Sequence, residues 1–309
     1  MNGIDTLRGA VAVTVTPVTE RSEPDYQELR RQTDWLCGKN ITALFPCSST
    51  GEFVRFQTRE KIDILKTVAD ANRGRKRLIA GACGTHLHEV LQYLEAAAEY
   101  GYDACVVCPP YYYPQKQEDT VKFYLQAAEK AKGMKIILYN VPFFTTGLEL
   151  DTIDRLMKVD GIVGIKDSSA NMKGISHINS IKTKDFLVYT GTDDCLLPAL
   201  TAGCDGSMTA LAGILPEWIS SVYTALERGD LARAGEIQRS VHRLLRIADS
   251  LPFPMGYKLL AEARGLKIGP QLQFIPVDKT AEIHVQIKKE IQNLIQGGYI
   301  DESNGLEGL

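Results

Sequence analysis

Eight short segments rich in apolar and β-branched residues, at 10–15, 43–47, 77–82, 104–108, 135–140, 161–166, 186–190 and 205–209, alternate with helix-like stretches. No other feature limits the fold of this chain as strongly. Strand, helix and strand recurring at spacings of roughly thirty residues is the pattern of parallel βαβ units. Eight such units argue for an α/β architecture closed into a (β/α)8 TIM barrel. A barrel of this kind takes about 250 residues. The chain has 309, which leaves room for an appendage.

Start and stop signals bound the intervening helices. Asp25, Thr58, Thr85 and Asp151 stand at helix starts, and Gly101 and Gly133 at helix ends. After the eighth strand the alternation stops. Pro216 opens one helix, 230–250 reads as a second, 255–264 as a third and 279–296 as a fourth, with turns at Pro252-Phe253-Pro254 and Gly269-Pro270. The expected organisation is a barrel over 1–214 and a helical extension over 215–309 packed on it. Residues 301–309 read as a frayed tail.

Composition removes several classes of function. A net charge of -3 and a pI near 6.0, without long runs of one sign, give no footprint for nucleic acid or an anionic membrane. No apolar stretch approaches a membrane span, and the first residues do not resemble a leader, so a cytoplasmic protein is expected. Seven scattered cysteines fit reduced thiols rather than a disulfide framework. Cys105 and Cys108 form a CxxC whose i and i+3 positions face opposite ways on a strand, which argues against a metal or redox pair. His86-Leu87-His88 lacks acidic or cysteine companions and reads as exposed or capping residues. Gly203-Cys204-Asp205-Gly206 is too little for a phosphate site.

Chemistry is concentrated at the ends of three strands. In Gly161-Ile162-Val163-Gly164-Ile165-Lys166, alternation places Ile162, Gly164 and Lys166 on one face, so an amine ends a buried strand where the mouth of a barrel holds its active site. The fifth strand ends with Tyr139 on the inward face, on a barrel neighbour of the sixth. The second strand runs into Ser48-Ser49-Thr50-Gly51-Glu52, whose hydroxyls and amides suit a carboxylate, although such clusters are also plain turns.

These residues resemble the dihydrodipicolinate synthase and N-acetylneuraminate lyase superfamily of class I pyruvate-dependent aldolases. Ser49-Thr50-Gly51-Glu52 is similar to its carboxylate loop, Tyr139-Asn140-Val141-Pro142 to its tyrosine motif and Gly164-Ile165-Lys166-Asp167 to its Schiff-base motif. The resemblance covers most of the chain. It implies that Lys166 condenses with a 2-oxo acid such as pyruvate and that no metal or other cofactor is needed. A lysine of ordinary pKa, about 10.4, is mostly charged at neutral pH, so its site must favour the free amine. Tyr139 would act as general acid and base, Ser49 and Thr50 would hold the carboxylate, and Ser49 would relay a proton to Tyr112 of a partner subunit. Pro110-Tyr111-Tyr112 resembles the family segment that crosses into a neighbouring site, which implies a homodimer or homotetramer.

Two departures bear on substrate. Synthases of the family follow the tyrosine motif with an arginine for the second substrate's carboxylate; this chain reads Phe143-Phe144-Thr145-Thr146-Gly147. Ser48 stands where a glycine is usual. Gly191-Thr192-Asp193-Asp194 is similar to the segment with which sialic acid lyases bind sugar hydroxyls, and Ser168 matches a hydroxyl residue there; Asp194 also reads as a cap of the next helix. With Gly191 and Met208 these form the expected substrate-binding set. The reading that results is an aldolase for a hydroxylated 2-oxo acid, such as a 2-keto-3-deoxy sugar acid or N-acetylneuraminate. The alternatives are 4-hydroxy-tetrahydrodipicolinate synthase, a Schiff-base dehydratase and a non-catalytic 2-oxo-acid binder.

Overall fold

In the computed structural model, which describes residues 3–272 and 277–301, eight parallel strands close into the expected barrel. They are β1 (Gly9–Val13), β2 (Ala43–Phe45), β3 (Arg77–Gly81), β4 (Ala104–Val107), β5 (Ile136–Asn140), β6 (Ile162–Asp167), β7 (Leu187–Thr190) and β8 (Gly206–Thr209). Each pairs with its chain neighbour, and β8 returns to β1 in the register Gly9↔Gly206 to Ala12↔Thr209. Both faces of a parallel barrel are covered, which is why Val11, Leu44, Ile79, Val106, Leu138, Ile165 and Val188 are fully buried.

The first four strands stop one or two residues before their expected ends, because the chain turns outward there into the loops of the mouth. Cys47, for instance, adopts φ 56, which no extended ladder accommodates. β6 instead continues one residue past Lys166. Asp167 pairs in register with Asn140 and Thr190, and the Asn140 amide donates to its carboxylate at 2.7 Å.

Most helix starts fall within a residue or two of their sequence signals. α1 (Tyr26–Cys37) begins at Asp25, whose carboxylate accepts from the amides of Gln27 and Glu28. α2 (Thr58–Asn72) is capped by Gln57, with Glu60 accepting from the Gln57 amide at 2.7 Å. α3 (Leu87–Glu99) is capped one residue after Thr85, by His86, whose Nδ1 accepts from the Glu89 amide at 3.2 Å. The capping reading of this histidine is therefore the one observed. α4 (Gln117–Lys130), α5 (Leu150–Leu156), α6 (Met172–Ile181) and α7 (Leu196–Thr201) complete the crossovers. A short α8 (Ala210–Ile214) follows β8 directly.

Beyond it lie α9 (Pro216–Glu227), α10 (Leu231–Ser240), α11 (His242–Ala248), α12 (Met255–Ala263) and α13 (Val277–Gln296). α9 lies against β1 and α8, α12 against α8, and α13 against α11 and α12. The single helix expected over 230–250 is two helices, broken at the buried Val241. The Ile237 carbonyl accepts from the Trp218 indole N–H at 2.9 Å and from the Ser240 hydroxyl at 2.7 Å, so both lone pairs of the acceptor that a continuous helix would offer to the Val241 amide are taken. Val241 bonds Arg239 instead. Of the tail read as frayed, 302–309 lies outside the described residues. Among the described residues no helix is long and apolar enough to cross a membrane.

Candidate active site

Adjacent strands fix the two residues to which the sequence assigns the chemistry. Tyr139 on β5 and Lys166 on β6 are register partners, so both side chains leave the sheet at one level. The Lys166 amine lies 4.2 Å from the centroid of the Tyr139 ring and 5.0 Å from that of Phe45. Lys166 is only 4 % exposed, and among the described residues no carboxylate lies within ion-pair distance of it. Its nitrogen is thus free of the ionic lock that would block nucleophilic attack.

Two glycines make space for this arrangement. A Cβ on Gly164 would meet the Leu187 carbonyl oxygen at 2.6 Å. One on Gly191 would sit 2.0 Å from the Ser168 hydroxyl and 3.0 Å from Cε of Lys166. The backbone after β7 therefore passes against the lysine stem, and any side chain at Gly191 would displace it.

Lys166 opens into a cavity of about 490 Å3 at the C-terminal end of the barrel, lined also by Ser49, Thr50, Tyr139, Ser168, Gly191, Asp193, Asp194 and Met208. The sequence-predicted site residues thus converge, with one exception. Tyr112 does not line this cavity; it is 84 % exposed and held at φ 83, an uncommon conformation for a bulky residue.

The Ser49 loop is tied down from below. The Ser48 hydroxyl donates to the Thr14 carbonyl at 3.3 Å and accepts from the Gly51 amide at 3.1 Å, so the serine in the position of the usual glycine acts as an anchor. Ser49 and Tyr139 bring their hydroxyl oxygens within 3.4 Å. Glu52, in a left-handed conformation, is buried and accepts from Lys258 on α12 at 2.7 Å and from Arg55 at 2.9 Å.

Opposite this loop the wall is acidic. Asp193 is buried, and desolvation pushes its carboxyl up to about 7, against the opposing pull of hydrogen bonds to the ionised form. Its oxygens accept from the Leu211 amide at 3.2 and 3.3 Å, so Asp193 caps α8. Thr209, at the N-cap position itself, makes no side-chain bond to α8. The cap envisaged for Asp194 on the next helix is not formed, since α7 has no side-chain cap. Gln238 on α10 donates to the Asp193 carbonyl at 3.0 Å and accepts from the Leu197 amide at 3.0 Å, fastening this loop to the C-terminal helices.

The part of the lining that comes from beyond the barrel was missed by sequence reasoning: Leu245 and Asp249 at α11, Phe253 in the following turn, and Tyr257 on α12. Nothing in their local sequence signals a site, apart from the Pro-Phe-Pro turn, which says only that the chain bends. Phe143 and Phe144 line the mouth, where an arginine was noted as missing. Arg55 borders an adjoining cavity of about 180 Å3. The seven cysteines are all unpaired thiols, and no group of three or more metal-ligating side chains is found among the described residues.

The profile of the Dihydrodipicolinate synthetase family matches residues 6–294. A relative from Listeria welshimeri named 4-hydroxy-tetrahydrodipicolinate synthase is 30% identical over 291 residues, covering 93% of this chain and 99% of its own. Among solved structures, the 2-keto 3-deoxygluconate aldolase from Picrophilus torridus superposes with a TM-score of 0.81 at 27% identity, over 87% of this chain and 98% of that one. The dihydrodipicolinate synthase from Acinetobacter baumannii, solved with pyruvate, superposes with a TM-score of 0.86 at 25% identity, over 93% and 99% of the two chains.

Proposed function

Since this chain belongs to the dihydrodipicolinate synthetase family, we propose that it is a carbon–carbon lyase working through an imine on Lys166, which splits a hydroxylated 2-oxo acid into pyruvate and an aldehyde or joins the two. The free amine of Lys166 adds to the keto carbon and water leaves, giving a positively charged imine; the bond between the next carbon and the hydroxyl-bearing carbon beyond it breaks, its electrons form an enamine, and protonation and hydrolysis of the enamine release pyruvate and the amine. Ser49 and Thr50, with neighbouring amides, hold the carboxylate. Tyr139 takes a proton from the hydroxyl of the departing aldehyde, or returns it in the reverse direction, and Ser49 at 3.4 Å passes protons toward Tyr112 of the partner subunit. The exposure of Tyr112 supports a homo-oligomer in which that tyrosine completes a neighbouring site.

One observation carries the choice of substrate. Among the residues lining the main cavity Lys166 is the sole cation, while Asp193, Asp194 and Asp249 face the same space. A second carboxylate on the acceptor would meet aspartates and phenylalanines, without the charge-assisted partner it needs. Hydroxyl groups, which donate to carboxylates, suit this wall. The names of the relatives favour a second reading, condensation of pyruvate with aspartate semialdehyde.

Borohydride reduction in the presence of pyruvate tests the first step: mass spectrometry should find a pyruvyl adduct that is absent from Lys166→Ala. Coupled assays with 2-keto-3-deoxygluconate, N-acetylneuraminate and aspartate semialdehyde test the second. Efficient turnover of aspartate semialdehyde would overturn the argument from the missing cation, and loss of water without release of pyruvate would assign a dehydratase.

A further inference from the structure

The outer half of the cavity combines two kinds of surface that nothing in the imine chemistry requires. One is aromatic. Phe144 from the loop after β5 lies 5.6 Å from Phe253, ring centre to ring centre, and Phe253 lies 5.8 Å from Tyr257, so three rings run from the barrel rim to α12. The other is acidic. The Tyr257 hydroxyl donates to Asp249 at 3.0 Å, and Asp249 holds its proton more tightly than an ordinary carboxyl, through partial burial first and the charge of Asp194 after it, against the opposing pull of the tyrosine's hydrogen bond. Burial raises the Tyr257 phenol as well, so it stays a donor and the pair keeps one orientation.

α12 cannot drift from the barrel. The residue after Tyr257 is Lys258, whose amine is buried in the ion pair with Glu52 directly below the Ser49 loop. The helix that brings Tyr257 to the mouth is thereby fixed to the segment assigned to the pyruvate carboxylate, and the distance from the imine to the outer wall is set by packing.

We propose that Asp249 and Tyr257, with the Phe144 and Phe253 rings, form a specificity subsite for the distal end of the aldehyde, and that it takes a neutral polyhydroxylated chain of sugar type. An aromatic face packs on the C–H side of such a chain while carboxylate oxygens accept from its hydroxyls. A distal carboxylate is repelled by Asp194 and Asp249, and a purely apolar chain offers neither carboxylate a donor of its own. This inference rests on the imine reading of the site and adds to it the residues that select the acceptor.

Competing condensations with pyruvate test it. The ratio of kcat/KM for a hydroxylated aldehyde, such as erythrose or glyceraldehyde, to that for butanal is measured in wild type, Asp249→Asn, Asp249→Ala and Tyr257→Phe. Loss of a hydrogen bond to a charged group is expected to lower the ratio about 10-fold in Asp249→Ala, less in Asp249→Asn, and about 3-fold in Tyr257→Phe. Succinic semialdehyde should gain relative to glyceraldehyde in Asp249→Asn. If wild type traps the pyruvyl imine but all variants keep its ratios, the subsite proposal is overturned while the imine reading stands. If wild type traps no imine, the reading beneath it falls, and the proposal with it.

Discussion

The two walls of the cavity are built on different principles. The inner wall consists of residues at strand ends, Lys166, Tyr139, Ser49 and Thr50, whose spacing follows from the register of β5 with β6 and from the loop that leaves β2. The outer wall comes from Asp249, Phe253 and Tyr257 on helices and turns after the barrel, held by Gln238, the Lys258–Glu52 pair and ring contacts. A bond-making step needs its nucleophile and acid–base group fixed to a few tenths of an ångström, and a backbone ladder supplies that without depending on any one side chain. Acceptor recognition tolerates a wall assembled from separate elements, which can vary while the chemistry is kept.

Breaking the tie between the walls should give the largest effect. Lys258→Met leaves Glu52 buried beside only Arg55, and loss of one partner of a buried pair costs about 3–5 kcal/mol, read as a fall in unfolding free energy. Lys258→Met with Glu52→Gln should recover part of that loss. Equal stability of wild type and the single variant would show that the walls are joined by other contacts.

Within the inner wall, Tyr139→Phe is expected to retain trapping of the pyruvyl imine and to slow carbon–carbon chemistry by about 100-fold or more. Unchanged turnover would remove Tyr139 from proton transfer. At the seam between the walls, Asp193 has a carboxyl raised from its unfolded value of 3.8 to about 7. The folded state therefore binds more protons across this range, and Asp193 lowers stability as pH rises from near 4 through 7. In Asp193→Asn, the Tm difference between pH 5 and pH 8 should shrink by a few degrees, on the order of one to two kcal/mol. The same slope in both proteins would mean that the carboxyl ionises without penalty. Outside the cavity lining, Asp25→Ala removes the cap of α1 and should cost about 1 kcal/mol in urea unfolding without changing turnover. A change in kcat there would mean that the inner wall is less insulated than its ladder suggests.

Sequence and structure agree where periodicity is strong. Alternation along β6 put Lys166 on the inward face, and Asp25 marked its helix because a cap is a local event. They part where a distant group decides. The helix expected over 230–250 breaks where Trp218, on the preceding helix, and the Ser240 hydroxyl together take the Ile237 carbonyl. α8 is capped by Asp193 from another loop rather than by Thr209 at its own start. Asp249 and Tyr257 escaped notice for the same reason.

By itself the sequence determined the eightfold alternation, the inward lysine and tyrosine, and the hydroxyl loop, since each follows from side-chain alternation or from a short motif read along one segment. Tertiary structure alone decided which acids and rings face Lys166 and how α12 is held over the Ser49 loop. Those contacts join residues up to 206 positions apart, and their geometry is set by packing and by a buried ion pair, neither of which leaves a period in the chain.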